Sequence, residues 1–494
     1  MKKNISIYSF IMLICIGIMS CTDLMHEEFG KIPSDTFPSS SKDLDAAAIG
    51  VYSSLGNSFI AQSLDYSGLT ANELCTDEMN TAWGGTWQIF NRFAWTANSS
   101  PASSLYSTYM KAITKATRLI DALQNSSVSA EKKMASIAEM RVLRAFYANA
   151  LYSLYGPLPI VTDPKVANDV YTAYKPVRPT KEDYVNFMIN ELKESYSLLP
   201  NKSSSENWGR VDKGTALTLL MKIYLDSKMW NEANTTAGDI INMGIYGLLP
   251  SYADVFNIAN EGPGNKEVIF VIPRITSNAS SSWSYFACVL PSKPQMKSKT
   301  GVIMTVWGGL KMPWEYYDKY ETQDQRLNTI IRYYVDVNGN QVDFRTVTDS
   351  KAVGAIPMKY SEDPQHLAAA QGNDFVVFRY ADVLLSKAEA LNQLNGPTAE
   401  SIELINQIRR RAKATEIKLA DFTKQSLDDF ILDERGRELY NEAHRRNDLI
   451  RHGKFIQSAV NRGVNAQPYQ VLYPIPQSAI SENPNLKQNP GYEN

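Results

Sequence analysis

Apolar residues at steps of three and four, in segments that come in pairs with a short break between them, set what this 494-residue chain can fold into. From Ala138 to Tyr155, Met140, Leu143, Tyr147, Ala150, Leu151 and Leu154 draw one stripe, which Gly156-Pro157 stops. Asp212 is placed to cap a helix carrying Ala216, Leu219, Leu220, Ile223 and Tyr224. After a break at 226–229, a second helix runs from Trp230 through Ala233 to Ile241. Tyr380 to Gln393 and Ser401 to Ala412 repeat the arrangement across Gly396-Pro397, with Pro397 expected in the first turn of the second helix. Each stripe must be buried against a neighbour, so Leu384, Ala388 and Leu391 are expected to face Ile402, Ile405 and Ile408.

Small residues where two helices touch and bulky ones in the gap resemble a degenerate tetratricopeptide repeat. Lys181 to Leu199 and Asp428 to His444 read as further helical stretches. Between the pairs the texture changes. Residues 245–375 hold a strand-like Glu267 to Ile272 and a hairpin signal at Asn338-Gly339, between 330–335 and 341–344. Residues 56–103 lack helical period and are dense in Trp, Asn, Ser and Gly. The expected fold class is mainly α: tetratricopeptide-like helix pairs forming a right-handed superhelical scaffold from 43–55, 104–244 and 376–455. Loop-rich insertions, 56–103 and 245–375, would carry a few short β-strands and most of the function, and 456–494 would be a C-terminal tail.

The first residues decide where such a body works. Lys2 and Lys3 precede an apolar run from Ile5 to Ile18 that closes on Met19-Ser20-Cys21. The run is interrupted by Ser6 and Ser9 and falls short of the ~20 residues of a bilayer span, so residues 1–20 read as an export signal. Its end looks like a lipoprotein lipobox, with Cys21 as the lipidated residue and outer-membrane anchoring as the consequence. Residues 21–42, with Pro33, Pro38 and Ser39-Ser40-Ser41, read as a tether, and Asp23, Glu27 and Glu28 as either a sorting signal or its solvating charge.

A formal net charge of −2 gives no electrostatic reason for nucleic acid or an anionic membrane surface as partner. Of four cysteines only Cys75 and Cys288 lie in the body, too few for a disulfide framework; whether they pair is left open. His26, His366, His444 and His452 show no metal-ligand spacing, and Glu362-Asp363 with Gln365, Asn373 and Asp374 read as a solvated acidic loop rather than a calcium site. Phosphate loops and a nucleophile elbow are absent, so no metal or cofactor is expected.

Several stretches, taken in order, resemble the SusD/RagB family of surface lipoproteins that bind nutrients beside a TonB-dependent outer-membrane transporter. They are the lipobox at Cys21, Ala138 to Tyr147 continuing to Leu154-Tyr-Gly-Pro-Leu-Pro-Ile160, Gly209-Arg-Val-Asp-Lys-Gly214, and Phe378 to Leu385 with Ala388 to Leu391. Asn406 to Ala412, Asp433 to Leu439, Arg445-Arg446 with Asp448 to Arg451, Leu472 to Gln477 and Asn489-Pro-Gly-Tyr492 complete the series. The resemblance implies four tetratricopeptide-like units, a ligand site in the inserted loops, a non-catalytic role and a SusC-like transporter partner on which the lipoprotein sits as a lid. Members mostly bind glycans and some handle peptides.

Within the insertions, 71–98 is the most informative stretch. Trp83, Trp87 and Trp95 stand among Gly84-Gly85, Asp77, Glu78, Asn80, Asn91 and Arg92. A sugar ring offers an apolar C–H face and a rim of hydroxyls, so its site needs a flat indole for the face and amide, carboxylate or guanidinium groups for the rim. A second aromatic set spans 281–317. Trp83, Trp87, Trp283 and Trp307 are the expected stacking platforms for an oligosaccharide, with Asp77, Asn80 and Arg92 on the rim. Trp95, Trp314 and Tyr316 are expected to pack, and Trp208 and Trp230 to serve the core or cap helices. Glu434, Arg435, Arg437 and Glu438 are expected to form an ion-pair network with Arg445, Arg446 and Asp448 that locks the last helices together. Two other functions stay open. One is a glycoside hydrolase using two of Asp77, Glu78, Glu315 and Asp324, though nothing in the sequence marks any of them for a raised pKa. The other is a scaffold whose concave surface binds peptide or protein.

Overall fold

A computed structural model describes residues 37–58, 67–169, 174–277 and 282–492. Cys21, the signal, His26 and the acidic start of the tether lie outside the described residues. The long helices are α1 (Ser41–Ser58), α2 (Ser100–Asn125), α3 (Ala130–Tyr155), α4 (Lys181–Lys193), α5 (Lys213–Asp226) and α6 (Trp230–Asn242). After the second insertion come α7 (Tyr380–Asn395), α8 (Ala399–Ala412), α9 (Lys424–Leu439), α10 (Arg445–Arg451) and α11 (Phe455–Asn461). No helix among the described residues is long and apolar enough to cross a membrane.

Each helix packs on the next, from α1 against α2 through to α5 against α6, and α6 then packs on α7 although residues 245–375 intervene. The insertion therefore leaves and re-enters the array at one place. The architecture is the expected one: mainly helical, built of paired helices, with a few two-residue to five-residue strands in the insertions. Its cause is local. On α3 the expected stripe is interior, with Met140, Leu143, Tyr147, Leu151 and Leu154 buried and Ala150 packed against the same core. Asp212 Oδ1 accepts from the Thr215 amide at 2.8 Å, starting α5. Thr398 caps α8 in a reciprocal box with Ser401, so Pro397 precedes the cap rather than sitting in the first turn.

Two expectations need correction. The strand Val268–Ile272 pairs antiparallel with Phe375–Arg379, so the second part of the scaffold opens with a strand and becomes helical only at Tyr380. The stretch 428–444 is not one helix. α9 ends at Leu439, and Asn441 and Ala443 take positive φ of 57° and 63° before α10 begins. Tertiary bonds hold this break open: Lys359 Nζ donates to the Tyr440 carbonyl and to Glu442, and the Ala443 amide donates to Glu73. The predicted hairpin is present, with Tyr333–Val335 paired to Gln341–Asp343 around Gly339.

The charged face of α9 is also wired differently from the expectation. Arg435 does bind Asp448, at 2.8 Å, but Glu434 and Glu438 reach out of the last helices. Glu434 pairs with Arg326 and Arg409, and Glu438 with Arg326, Arg379 and Arg411. Arg445 binds Asp77 in the first insertion, and Arg446 donates to the carbonyls of Ser153 and Val471. The network joins α9 to both insertions and the tail. Such pairs lose hydration on burial, so they select one arrangement of chain more than they add stability.

Candidate functional site

A short antiparallel ladder brings the two insertions together. Asn80 pairs with Lys311 and Thr81 with Leu310, and the Ala82 amide donates to the Gly309 carbonyl at 2.9 Å. The Trp83 indole lies directly over Gly309: a Cβ there would fall 1.8 Å from the ring, so only glycine leaves room for it. Trp87, on the one-turn helix Thr86–Asn91, meets Trp83 with ring centroids 4.6 Å apart and planes tilted by 58°. Both are half-buried. Trp307, two residues before Gly309, is 42% exposed.

The ladder and its turns hold these rings from below. Gln88 Nε2 donates to the Trp83 carbonyl at 2.8 Å, and Thr81 Oγ1 accepts from the Trp83 amide at 3.1 Å. The Trp307 and Gly308 amides both donate to the Ala287 carbonyl. Beneath them Lys311 is fully buried, its Nζ donating to the carbonyls of Val289, Gly308 and Leu310 at 2.8, 2.8 and 3.1 Å. Burial pushes this amine down to about 7. Three carbonyl acceptors, however, take all three N–H groups of an ammonium and only the charged form fills them. Neither Gly309 nor Lys311 stands out in the sequence beyond the glycine pair beside Trp307.

Two of the polar candidates border a separate cleft. Asp77 and Asn80 line a cleft of about 700 Å³ that does not include the Trp83–Trp87 pair, and Arg92 is exposed at the end of the Thr86–Asn91 helix. Both Asp77 oxygens are taken by Arg445, at 2.8 and 2.9 Å. Burial pushes that carboxyl up, but Arg445 and Lys319 outweigh it and hold Asp77 well below the carboxylate range. Next to it Glu78 goes the other way. Burial raises it, Arg445 pulls against that and the Asp77 charge adds to it, leaving Glu78 at about 7. Glu73 is driven well above its ordinary value by burial and by Glu78, to which it hydrogen-bonds. The Oε2 atoms of both are buried and receive no hydrogen bond from any other group.

A raised carboxyl among the four acids is thus a finding that the sequence did not signal. It is not an accessible one: Glu78 is 2% exposed, below Tyr316 and Arg445, where Gly436 of α9 leaves no space for a Cβ. Asp324 is buried with both oxygens on Arg326, and Glu315 alone of the four is exposed.

Trp283 is no platform. Its ring is fully buried, stacked on Tyr285 at 5.1 Å and flanked edge-on by Tyr360 and Phe375, and its Nε1 donates to the Asn373 carbonyl. A backbone bridge to Gln371 draws it inward. Trp95 packs as expected, with Nε1 donating to the Tyr492 hydroxyl at 2.6 Å, and Tyr316 is buried. Trp314 is half-buried under Arg345, and Trp208 donates to Asp374. Cys75 and Cys288 are separate buried thiols. Glu362 and Asp363 accept from backbone amides and hydroxyls of neighbouring loops, and no metal-holding cluster occurs among the described residues.

This combination of helix pairs and aromatic inserted loops is the architecture of SusD-like proteins. A laminarin-binding SusD-like protein superposes with a TM-score of 0.75 at 21% identity, over 92% of this chain and all of that one. Surface glycan-binding protein A of Bacteroides thetaiotaomicron, solved with laminarihexaose, gives 0.72 at 20% identity, over 91% and 99%. In sequence the chain is 26% identical to SusD-like protein P25 of Formosa agariphila over its full length and 99% of that protein. It is 25% identical to the starch-binding protein SusD of Bacteroides thetaiotaomicron, over 85% and 84% of the two chains. Residues 266–492 match the SusD family, and residues 27–225 match the family described as starch-binding associating with outer membrane. The chain belongs to the SusD family.

Proposed function

We propose that this protein is a glycan-binding lipoprotein of the outer membrane that captures an oligosaccharide on Trp83, Trp87 and Trp307 and holds it for a SusC-like TonB-dependent transporter. The carrying observation is the half-buried Trp83–Trp87 pair lying on Gly309, two residues from the exposed Trp307, in a backbone held by buried hydrogen bonds. A preformed aromatic face loses little entropy when a sugar stacks on it. Relatives named for starch and laminarin binding support the ligand class, and the outer-membrane family name supports the location. Residues 1–20 would direct export, Cys21 would carry the lipid, and 21–42 would tether the body 43–494. The role is capture without cleavage: of the four acids considered, Glu78 and Asp324 are sequestered and Asp77 is held by Arg445.

Affinity electrophoresis of the protein lacking its first 21 residues, against a panel that includes starch and laminarin, tests this. Retardation by at least one glycan is expected, with affinity falling about tenfold or more in Trp83→Ala and Trp307→Ala, because a stacked ring contributes on the order of 1–2 kcal/mol. Incubation should release no new reducing ends. Retention that survives both substitutions would remove the aromatic face from the function.

A further inference from the structure

The cleft that Asp77 and Asn80 line is walled by two helices whose apolar sides are already committed to the core. On α9, Leu427 and Ile431 are buried while Asp429 and Asp433 turn to the cleft. Facing them, Lys454 at the N-cap of α11 and Gln457 and Asn461 on the helix follow at steps of three and four, while its Phe455 and Ala459 are buried. The polar side of each helix therefore points into a concavity instead of open water.

The charges on these walls cancel in loose pairs. Lys454 stands 3.2 Å from Asp429, and Lys319 lies 3.3 Å from Asp433 and 3.4 Å from Asp77. The buried network of α9 holds its pairs with Arg326, Arg409 and Asp448 at 2.6 to 3.1 Å, shielded from water. The cleft pairs are longer, and Lys319, Asp429, Asp433 and Lys454 are each a third to a half exposed. Gln457 Nε2 donates to Asn461 Oδ1 at 2.8 Å, which leaves the Gln457 carbonyl and the Asn461 amide hydrogens to a ligand. No open ring is available: Tyr316 is buried, with Lys319 over its ring at 4.6 Å.

A wall of this kind attracts neither anions nor cations strongly. It does present donors and acceptors side by side at about hydrogen-bond spacing. A hydroxyl both donates and accepts, so two adjacent ring hydroxyls can bridge a loosened carboxylate–ammonium pair, one giving to the acid and the other taking from the amine. The cleft volume of about 700 Å³ lies within the ~300–1,000 Å³ usual for small-molecule sites.

We propose that this cleft is a second ligand site, for an uncharged hydroxyl-rich saccharide held by hydrogen bonds rather than by stacking. It takes its ligand class from the glycan-binding reading above and shares only the 77–91 loop with the tryptophan face. Crystals of the mature protein soaked in glucose, maltoheptaose or laminarihexaose test it, alongside an Asp429→Ala/Lys454→Ala/Gln457→Ala triple variant and Gln457→Ala alone. Ordered sugar against Asp429, Lys454 and Gln457 is expected, absent from the triple variant. In calorimetry the binding stoichiometry should fall from two to one in the triple variant, and affinity at the cleft about tenfold in Gln457→Ala. A cleft empty in every soak, or sugar bound equally in the triple variant, overturns the proposal. Sugar in the cleft with none on the tryptophans would support it while sinking the aromatic face.

Discussion

Glu78 and its neighbour Asp77 are adjacent in sequence, yet one carboxyl is raised and the other depressed. The difference is which of them the Arg445 guanidinium holds by two short bonds. Burial moves Glu78 from an ordinary 4.5 to about 7, with Arg445 opposing and Asp77 reinforcing the shift. Between those values the folded protein keeps a proton that the unfolded chain releases, so stability falls as pH rises through this window and levels off above it. Glu78→Gln keeps an acceptor for the Tyr316 hydroxyl and removes the Glu78 titration, leaving Glu73 as the one carboxyl of the pair. Denaturation at pH 5 and pH 8 should show the wild-type loss of stability shrinking in this variant, by on the order of 1 kcal/mol. An unchanged difference would mean that Glu78 is not the titrating group. Residue chemistry of this sort was only partly legible beforehand. Trp307 and Trp283 both sit in polar, turn-rich stretches, yet one is open and the other interior, because Trp283 pairs with Gln371 and Trp307 turns on Ala287.

Elements were easier to read than their joints. The stripes of α3, α5 and α8 depend only on contacts within four residues, and the structure buries them as their spacing requires. Where α9 stops could not be read that way, since its end is set by Lys359, Glu73 and Arg379 from distant parts of the chain. The same holds for its charges. Helical spacing identified an ion-pair cluster on α9 but not its partners in the second insertion. Glu438 is fully buried against Arg326, Arg379 and Arg411, so Glu438→Ala takes one carboxylate from three buried guanidinium groups and leaves them to share Asp324, Glu434, Glu442 and Glu267. A loss of about 3–5 kcal/mol is expected in urea denaturation. A loss below about 1 kcal/mol would show that water or rearrangement replaces the carboxylate.

Across the whole molecule, the C-terminal segment is a structural brace. Tyr473 is buried among Phe90, Trp95 and Tyr155, and its hydroxyl donates to the Ala71 carbonyl; Asn489 donates to the carbonyls of Tyr155 and Tyr473. These contacts clamp the loop that carries Trp83 and Trp87 onto α3. Tyr473→Ala should cost about 3–5 kcal/mol and speed amide exchange across 71–98 more than across α5 and α6. Uniform exchange would mean that the brace is not local to the loop. By itself the sequence determined the helices, their pairing and the two insertions, because apolar spacing and capping act over a few residues. Which indoles face water, where α9 ends and what each buried charge binds were decided only by the tertiary structure. Those outcomes depend on partners from about twenty to several hundred residues away, brought into contact when the insertions fold back on the scaffold.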